Sequence, residues 1–169
     1  MGGELSPTKR LQLKYWTELW GILDRLHPDI RGTKARPQHW NNFSIGRSDI
    51  GLAASMDTQK KFVRVCVRCK GANARANFEL LRRQKKEIEA EVGSSLNWDP
   101  LPNRKQSRVC ILKSDVDPND ESDWPDQHRW LADQLNAFDK AFRQRIRNLA
   151  PNEVNADDDP DTDGEDVVE

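Results

Sequence analysis

Two aspartates and a pair of lysines have the types and spacing that come nearest to catalytic chemistry in this sequence. Asp49 and Asp57 each stand beside a predicted strand, and Lys60 and Lys61 follow within four residues of Asp57. A Mg²⁺-dependent nuclease needs an acid on one strand and acid-x-Lys on the next, because carboxylates hold the metal and the lysine polarises the attacking water. Here Gln59 replaces the second acid and all five residues fall in or beside turns. We therefore interpret Asp57 and Gln59 as turn residues and the two lysines as a solvated strand start, and keep a divergent nuclease as the last alternative.

The cysteines offer a second kind of chemistry. Cys66 and Cys69 have the spacing of half a zinc site, but an offset of three residues in a strand places the two sulfurs on opposite faces. A second pair of ligands is missing. Together with Cys110 they make three thiols, an odd number that fits a reducing compartment. We predict structural cysteines and no metal.

The three histidines are the remaining candidates for a catalytic role. His27 falls at a helix end, and His128 lies on an apolar helical stripe, where a structural role is expected. His39 precedes Trp40 in a basic loop and is the strongest of the three. No motif pairs any of them with a nucleophile, and no glycine-rich loop that could cradle phosphates occurs. The sequence therefore predicts no catalytic residues and no cofactor.

A basic strand face is the strongest functional signal. From Phe62 to Lys70 the residues alternate strictly, which predicts a strand with one apolar and one basic face. Phe62, Arg64, Cys66, Arg68 and Lys70 form the basic face, and Val63, Val65, Val67 and Cys69 form the apolar one. The strand Arg104 to Lys113 repeats this pattern. The predicted binding residues are Arg36, Trp40, Arg47, Lys60, Lys61, Phe62, Arg64, Arg68, Lys70 and Arg108.

Two partners fit such a surface. Its cations could neutralise DNA phosphates while Phe62 or Trp40 stacks on a base. Because Cys66, Cys110 and Leu112 are apolar neighbours of these arginines, the face also suits a protein partner or a second copy of the chain. We expect a non-catalytic, DNA-associated module, with protein docking or homodimerisation as the alternative.

Hydrophobic periodicity predicts the elements that must position this face. The order is helix, three strands, helix, one or two strands, helix, which indicates an α+β fold with an antiparallel sheet of four or five strands. The predicted helices span about 7–27, 74–92 and 125–149. The predicted strands span 40–45, 50–56, 62–70, 96–99 and 104–113. The helices should pack on the Val/Ile face of the sheet.

Length and charge organise the chain into a single domain with distinct ends. The 169 residues predict a flexible N-terminus over 1–6, one domain over 7–150 and a disordered acidic tail over 151–169. The tail carries nine acidic residues and no basic one, so a total formal charge of −1 leaves +8 on the body. The tail could be a solubilising terminus or a competitor for an anionic partner. Neither a membrane span nor a signal core is evident, and we expect a cytoplasmic protein.

Several segments resemble a known prokaryotic family. They are KRLQLKYWTELWGIL, RPQHWNNFSIGRSDIGL, ANFELLRRQKKEIEAEVG followed by LNWDPLP and KQSRVCIL, and WPDQHRWLADQLNAFDKAF. In this order they resemble the "domain of unknown function 4268", over about Leu5 to Leu149. In that family the domain often follows a nuclease module of the PD-(D/E)XK type, in proteins that look like restriction or defence components. The resemblance thus implies DNA-associated work. This sequence holds no such module, so we expect no cleavage activity to carry over.

Overall fold

The hydrophobic patterns give the expected alternation of helices and strands. A computed structural model describes residues 4–102 and 104–150 of the chain. Its helices are α1 (Pro7–Leu26), α2 (Ala74–Arg82), α3 (Lys85–Val92) and α4 (Trp124–Arg147), the last preceded by a 3₁₀ turn at Glu121–Asp123. Its strands are β1 (Trp40–Arg47), β2 (Ile50–Asp57), β3 (Phe62–Lys70), β4 (Asn97–Asp99) and β5 (Gln106–Lys113). The proposed disorder of the acidic tail concerns residues outside those described.

The five strands form one antiparallel sheet in the order β1-β2-β3-β5-β4, which confirms the predicted α+β fold. Strand β3 has the bounds and the two faces that its alternation predicted. Its four apolar-face residues are fully buried, whereas Arg64 and Arg68 are half-buried and Lys70 is exposed. Strand β5 begins at Gln106, two residues after its predicted start at Arg104.

The predicted single helix over 74–92 was wrong, since the chain forms two helices there. It breaks at Arg83 and Gln84, where the Gln84 N–H bonds to the Leu81 carbonyl in a tighter 3₁₀-type turn. Leu81 and Ile88 are fully buried, but the positions between them that should continue the apolar stripe are Gln84 and Lys85. The break therefore falls in a polar gap of the apolar stripe.

The chain groups into two compact units. The first unit comprises Met1–Phe43, Ala53–Val65 and Leu112–Asn136. The second unit comprises Ser44–Leu52, Cys66–Ile111 and Ala137–Glu169. Both names are used below for the described residues of these ranges.

An aromatic cluster forms the centre of the first unit. Helix α1 begins at the predicted cap, where the Ser6 hydroxyl accepts from the Lys9 N–H. The ring of Tyr15 meets those of Trp124 and His128 edge-on, at centroid distances of 4.9 and 4.4 Å. The Tyr15 hydroxyl donates to Gln127 at 2.7 Å, so the buried polar end of this ring is satisfied. His128 is thus a structural residue of a packed core.

A disulfide and a phenylalanine stripe mark the second unit. Phe78, Phe138 and Phe142 are fully buried. Cys66 of β3 and Cys110 of β5 are joined as a disulfide. This corrects the expectation of three free thiols, because neighbouring strands bring the two sulfurs together on the same face of the sheet. Cys69 remains free and buried, and burial raises the pKa of its thiol to about 12, so it is not a reactive thiolate.

Candidate nucleic-acid interface

The two units differ sharply in charge. The first unit holds twelve basic and twelve acidic residues and is neutral, whereas the second unit up to residue 150 holds fifteen basic and seven acidic residues. All of the +8 carried by the body therefore belongs to the second unit. A concentration of positive charge on one part of a domain is the electrostatic footprint expected of a nucleic-acid-binding protein.

Three of the predicted binding residues belong to the strands of the second unit. Arg68 is half-buried and Lys70 is exposed at the end of β3. Arg108 of β5 is half-buried, and its Nε is a buried donor with no hydrogen-bond partner among the described residues. Its neighbour in register is Asp99, the single acidic residue of the short strand β4.

Arg47 is occupied in the fold. Its guanidinium holds Asp49 with two bonds, from Nε to Oδ1 at 3.1 Å and from Nη2 to Oδ2 at 3.0 Å. Its Nη1 donates at 3.3 Å to the carbonyls of Ile146 and Leu149, at the end of α4. Asn77 also donates to Asp49. Arg47 therefore satisfies the last carbonyls of a helix, and we leave it out of the proposed interface.

In the first unit, Phe62 and Arg64 interact with one another. The Arg64 guanidinium carbon lies 5.3 Å from the centroid of the Phe62 ring, a cation–π arrangement, and its Nε donates to the Ser55 hydroxyl at 3.3 Å. The Arg64 guanidinium therefore lies over the Phe62 ring, which the sequence analysis assigned to base stacking. The two side chains could still stack on a base as a pair.

The remaining candidates of the first unit are loop residues and a tryptophan. Lys60 and Arg36 are exposed, and Lys61 lies 3.7 Å from an Asp117 carboxylate oxygen. Trp40 is half-buried, and its ring meets that of His39 at a centroid distance of 4.7 Å. Sequence reasoning placed these residues beside the basic strand face, and by the division into units they belong to the neutral unit, as Arg64 and Phe62 of that face do.

Three cations that the sequence analysis did not select lie in the second unit. Arg75, Arg104 and Lys105 line one cleft of about 160 Å³, next to the start of α2. The signal for them was weak, because Arg104 and Lys105 fall in the predicted strand 104–113 and Arg75 falls in the predicted helix 74–92. Only the folded chain brings the loop before β5 next to the start of α2.

The acids considered for a nuclease serve as turn residues. Asp57 Oδ1 accepts from the N–H groups of Gln59 and Lys60 at 2.9 and 2.7 Å, which closes the turn between β2 and β3. Asp49 is held by Arg47. Among residues 4–102 and 104–150, no cluster of three His, Cys, Asp or Glu side chains could hold a metal ion. Within the same ranges, no helix has both the length and the apolar composition needed to span a bilayer.

Fold and charge together define the class as an α+β module with one strongly basic unit. The sequence profile of the family described as "Domain of unknown function (DUF4268)" matches residues 11–146. Because this match covers most of the sequence, the chain belongs to that family, which confirms the resemblance noted above. No curated protein and no solved structure matches the chain.

Proposed function

We propose that this chain is a non-catalytic accessory module that associates with DNA through the basic surface of its second unit. The observation that carries the proposal is the division of charge, +8 on the second unit against zero on the first. The restriction or phage-defence context is what the family resemblance adds to the proposal.

The distribution of cations within the second unit supports this proposal. The segment from Cys66 to Ile111 supplies basic residues from three elements: Arg68 and Lys70 from β3, Arg75 from α2, and Arg104, Lys105 and Arg108 from β5 and the loop before it. Cations from several elements can follow a phosphate backbone, and such contacts give affinity without reading sequence. We therefore propose binding with little sequence preference.

Helix surface accounts for only part of the positive charge. Arg145 donates to both carboxylate oxygens of Glu91, at 2.7 and 2.9 Å, and Arg82 pairs with Glu79. Arg82 also lies over the Phe78 ring at 5.5 Å. These cations have acidic partners within the unit, and the residues that line the cleft near α2 include no Asp or Glu. We propose that phosphates bind the surface of β3, β5 and the cleft.

The test is binding of the full chain to duplex and single-stranded DNA, measured by fluorescence anisotropy across a salt series. If about four phosphates are neutralised, the logarithm of the association constant should fall with the logarithm of salt concentration with a slope of about −3.6 for duplex DNA. Binding that is absent at low salt, or insensitive to salt, would contradict the proposal.

Homodimerisation is the second candidate, and one observation favours it. Leu112 of β5 is 49% exposed, which is unusual for a large apolar side chain, and it belongs to the first unit rather than to the basic one. If this residue is part of a dimer contact, Leu112→Ser should shift the sedimentation of the chain from dimer to monomer. A wild-type chain that is monomeric at high micromolar concentration would remove this candidate.

A further inference from the structure

A small cleft in the second unit has the size and the charge of an anion site. It has a volume of about 160 Å³, below the roughly 300 Å³ at which pockets for drug-sized ligands begin. Its lining comes from the start of α2 and from the segment that precedes and begins β5. Arg75, Arg104 and Lys105 contribute three positive charges, and the lining residues include no Asp or Glu. The cleft therefore suits a small, strongly charged anion.

The start of α2 adds backbone donors to this cleft. Asn73 holds the N-cap position, but its side chain makes no capping hydrogen bond, and the first turn contains no acidic residue. The Ala74 N–H is bonded to the Gly71 carbonyl. The N–H groups of the next residues have no side-chain cap. An arginine in the first turn opposes the helix dipole and the missing cap leaves N–H groups unsatisfied, and a bound anion would offset both costs.

Gln106 provides an independent observation. This side chain lines the cleft and is only 7% exposed, and its Oε1 has no hydrogen-bond partner among the described residues. A buried amide without a partner is costly, and it is rare unless a ligand or water completes it. Because no side-chain hydrogen bond fixes this amide among the described residues, it can turn about its last bond and present its NH₂ group to an anion without breaking one.

We propose that this cleft binds a phosphate group. Arg75 and Arg104 provide charge and directed donors, the Gln106 amide provides a neutral donor, and the first N–H groups of α2 complete the site. The phosphate could come from free phosphate or from the end of a DNA strand. The second source rests on the proposed function, whereas the first does not.

The experiment is calorimetric titration of the full chain with inorganic phosphate at constant ionic strength. Arg75→Gln/Arg104→Gln should weaken phosphate binding by about tenfold or more, since each charged hydrogen bond is worth over 1 kcal/mol. The matched control is Lys85→Gln/Lys86→Gln, which removes two exposed cations of the same unit outside the cleft, and should change affinity by less than about twofold. Thermal melting confirms that each variant is folded, and Gln106→Glu provides a variant that adds a repelling charge.

Each outcome decides the proposal. Loss of phosphate binding in the cleft variants, with binding retained in the control, supports the proposal. A wild-type chain that binds no phosphate, or an equal loss in all variants, overturns it. The source is distinguished with duplexes of one length that end in a 5′-phosphate or a 5′-hydroxyl. Tighter binding of the phosphorylated duplex, lost in Arg75→Gln/Arg104→Gln, identifies a strand end, and equal binding of both duplexes identifies free phosphate. If neither duplex binds while phosphate does, the DNA-associated function fails and the cleft stands.

Discussion

The two units of this chain differ in charge, since one is neutral and the other is strongly basic. In the first unit twelve acidic residues balance twelve basic ones, and pairs such as Lys14 with Glu121 and His27 with Asp133 join sequence-distant elements. In the second unit the basic residues outnumber the acidic ones by eight. Repulsion among these excess positive charges opposes folding. We therefore expect the charge to serve the binding of an anionic partner.

The units also differ in what holds their interiors together. In the first unit the ring of Tyr15 meets those of Trp124 and His128 edge-on, and the Tyr15 hydroxyl bonds to Gln127. The second unit has buried phenylalanines and a disulfide. Among the described residues, each unit holds three buried side-chain atoms without a hydrogen-bond partner, so charge is what separates the two units. On that division of charge we assign support to the first unit and recognition to the second.

The largest expected effect concerns the scaffold. Trp124 is 1% exposed, and its Nε1 donates to the Pro118 carbonyl at 2.8 Å. Trp124→Ala should lower the free energy of unfolding by about 3–5 kcal/mol, because a large cavity and an orphaned carbonyl remain. Urea denaturation measures the loss. Trp130→Ala, at a half-buried position of the same helix, is the control, and an equal loss in both variants would remove the special role of the aromatic cluster.

A smaller effect is expected from the cross-link of the second unit. The Cys66–Cys110 disulfide closes a loop of 44 residues, and its loss should cost about 2–4 kcal/mol through the entropy of the unfolded chain. Unfolding of the wild-type chain with and without reductant measures this difference. The variant Cys66→Ala/Cys110→Ala should be insensitive to reductant, and equal sensitivity in both proteins would place the effect elsewhere.

The buried histidine of the first unit predicts a pH dependence of stability. Burial lowers the pKa of His128 to about 4, below the value of about 6.5 for an exposed histidine. Below about pH 6.5 the unfolded chain takes up a proton that the folded chain excludes, so the free energy of unfolding falls by up to about 3 kcal/mol as the pH drops toward 4. Above about pH 6.5 this contribution to stability is fully present.

Urea denaturation at about pH 7 and about pH 4.5 tests this sign. His128→Gln should lose much of the difference, and His27→Gln, which changes a half-buried histidine of the same unit, should retain it. If wild type and His128→Gln show the same dependence on pH, the histidine is not its source.

The smallest effect concerns the acidic tail, which lies outside the described residues. If its nine acidic residues compete with DNA, truncation after Ala150 should tighten binding by about threefold to tenfold at low salt, and the gain should vanish at high salt as charges are screened. A full-length control with these acids changed to Asn or Gln should behave like the truncated chain. Unchanged affinity in both forms would leave the tail without a regulatory role.

The fold could be predicted largely from the sequence because its longest elements carry strong local signals. Helix α1 begins after the Ser6 cap and Pro7, and β3 follows a strict alternation from Phe62 to Lys70. The break at Arg83 and Gln84 lies in the polar gap between Leu81 and Ile88, and the prediction of one helix over 74–92 did not take that gap into account. Local patterns thus gave element types more reliably than their continuity.

The candidate site could be predicted only in part, because it depends on contacts between distant residues. Arg68, Lys70 and Arg108 followed from strand alternation. Arg75 and Arg104 lie 29 residues apart, and no local pattern joins them. The Cys66–Cys110 disulfide depends on the register of β3 with β5, which two similar strand patterns do not specify.

The most direct test of the central claim compares two matched charge deletions by duplex DNA binding across a salt series. Arg68→Ala/Lys70→Ala removes one Arg and one Lys from the second unit, and Arg36→Ala/Lys60→Ala removes one of each from the first. The account predicts that the first of these variants binds about tenfold more weakly, with a salt slope shallower by up to about 2, while the second retains the wild-type slope. Equal losses in both variants, or a loss confined to Arg36→Ala/Lys60→Ala, would contradict the assignment of recognition to the second unit.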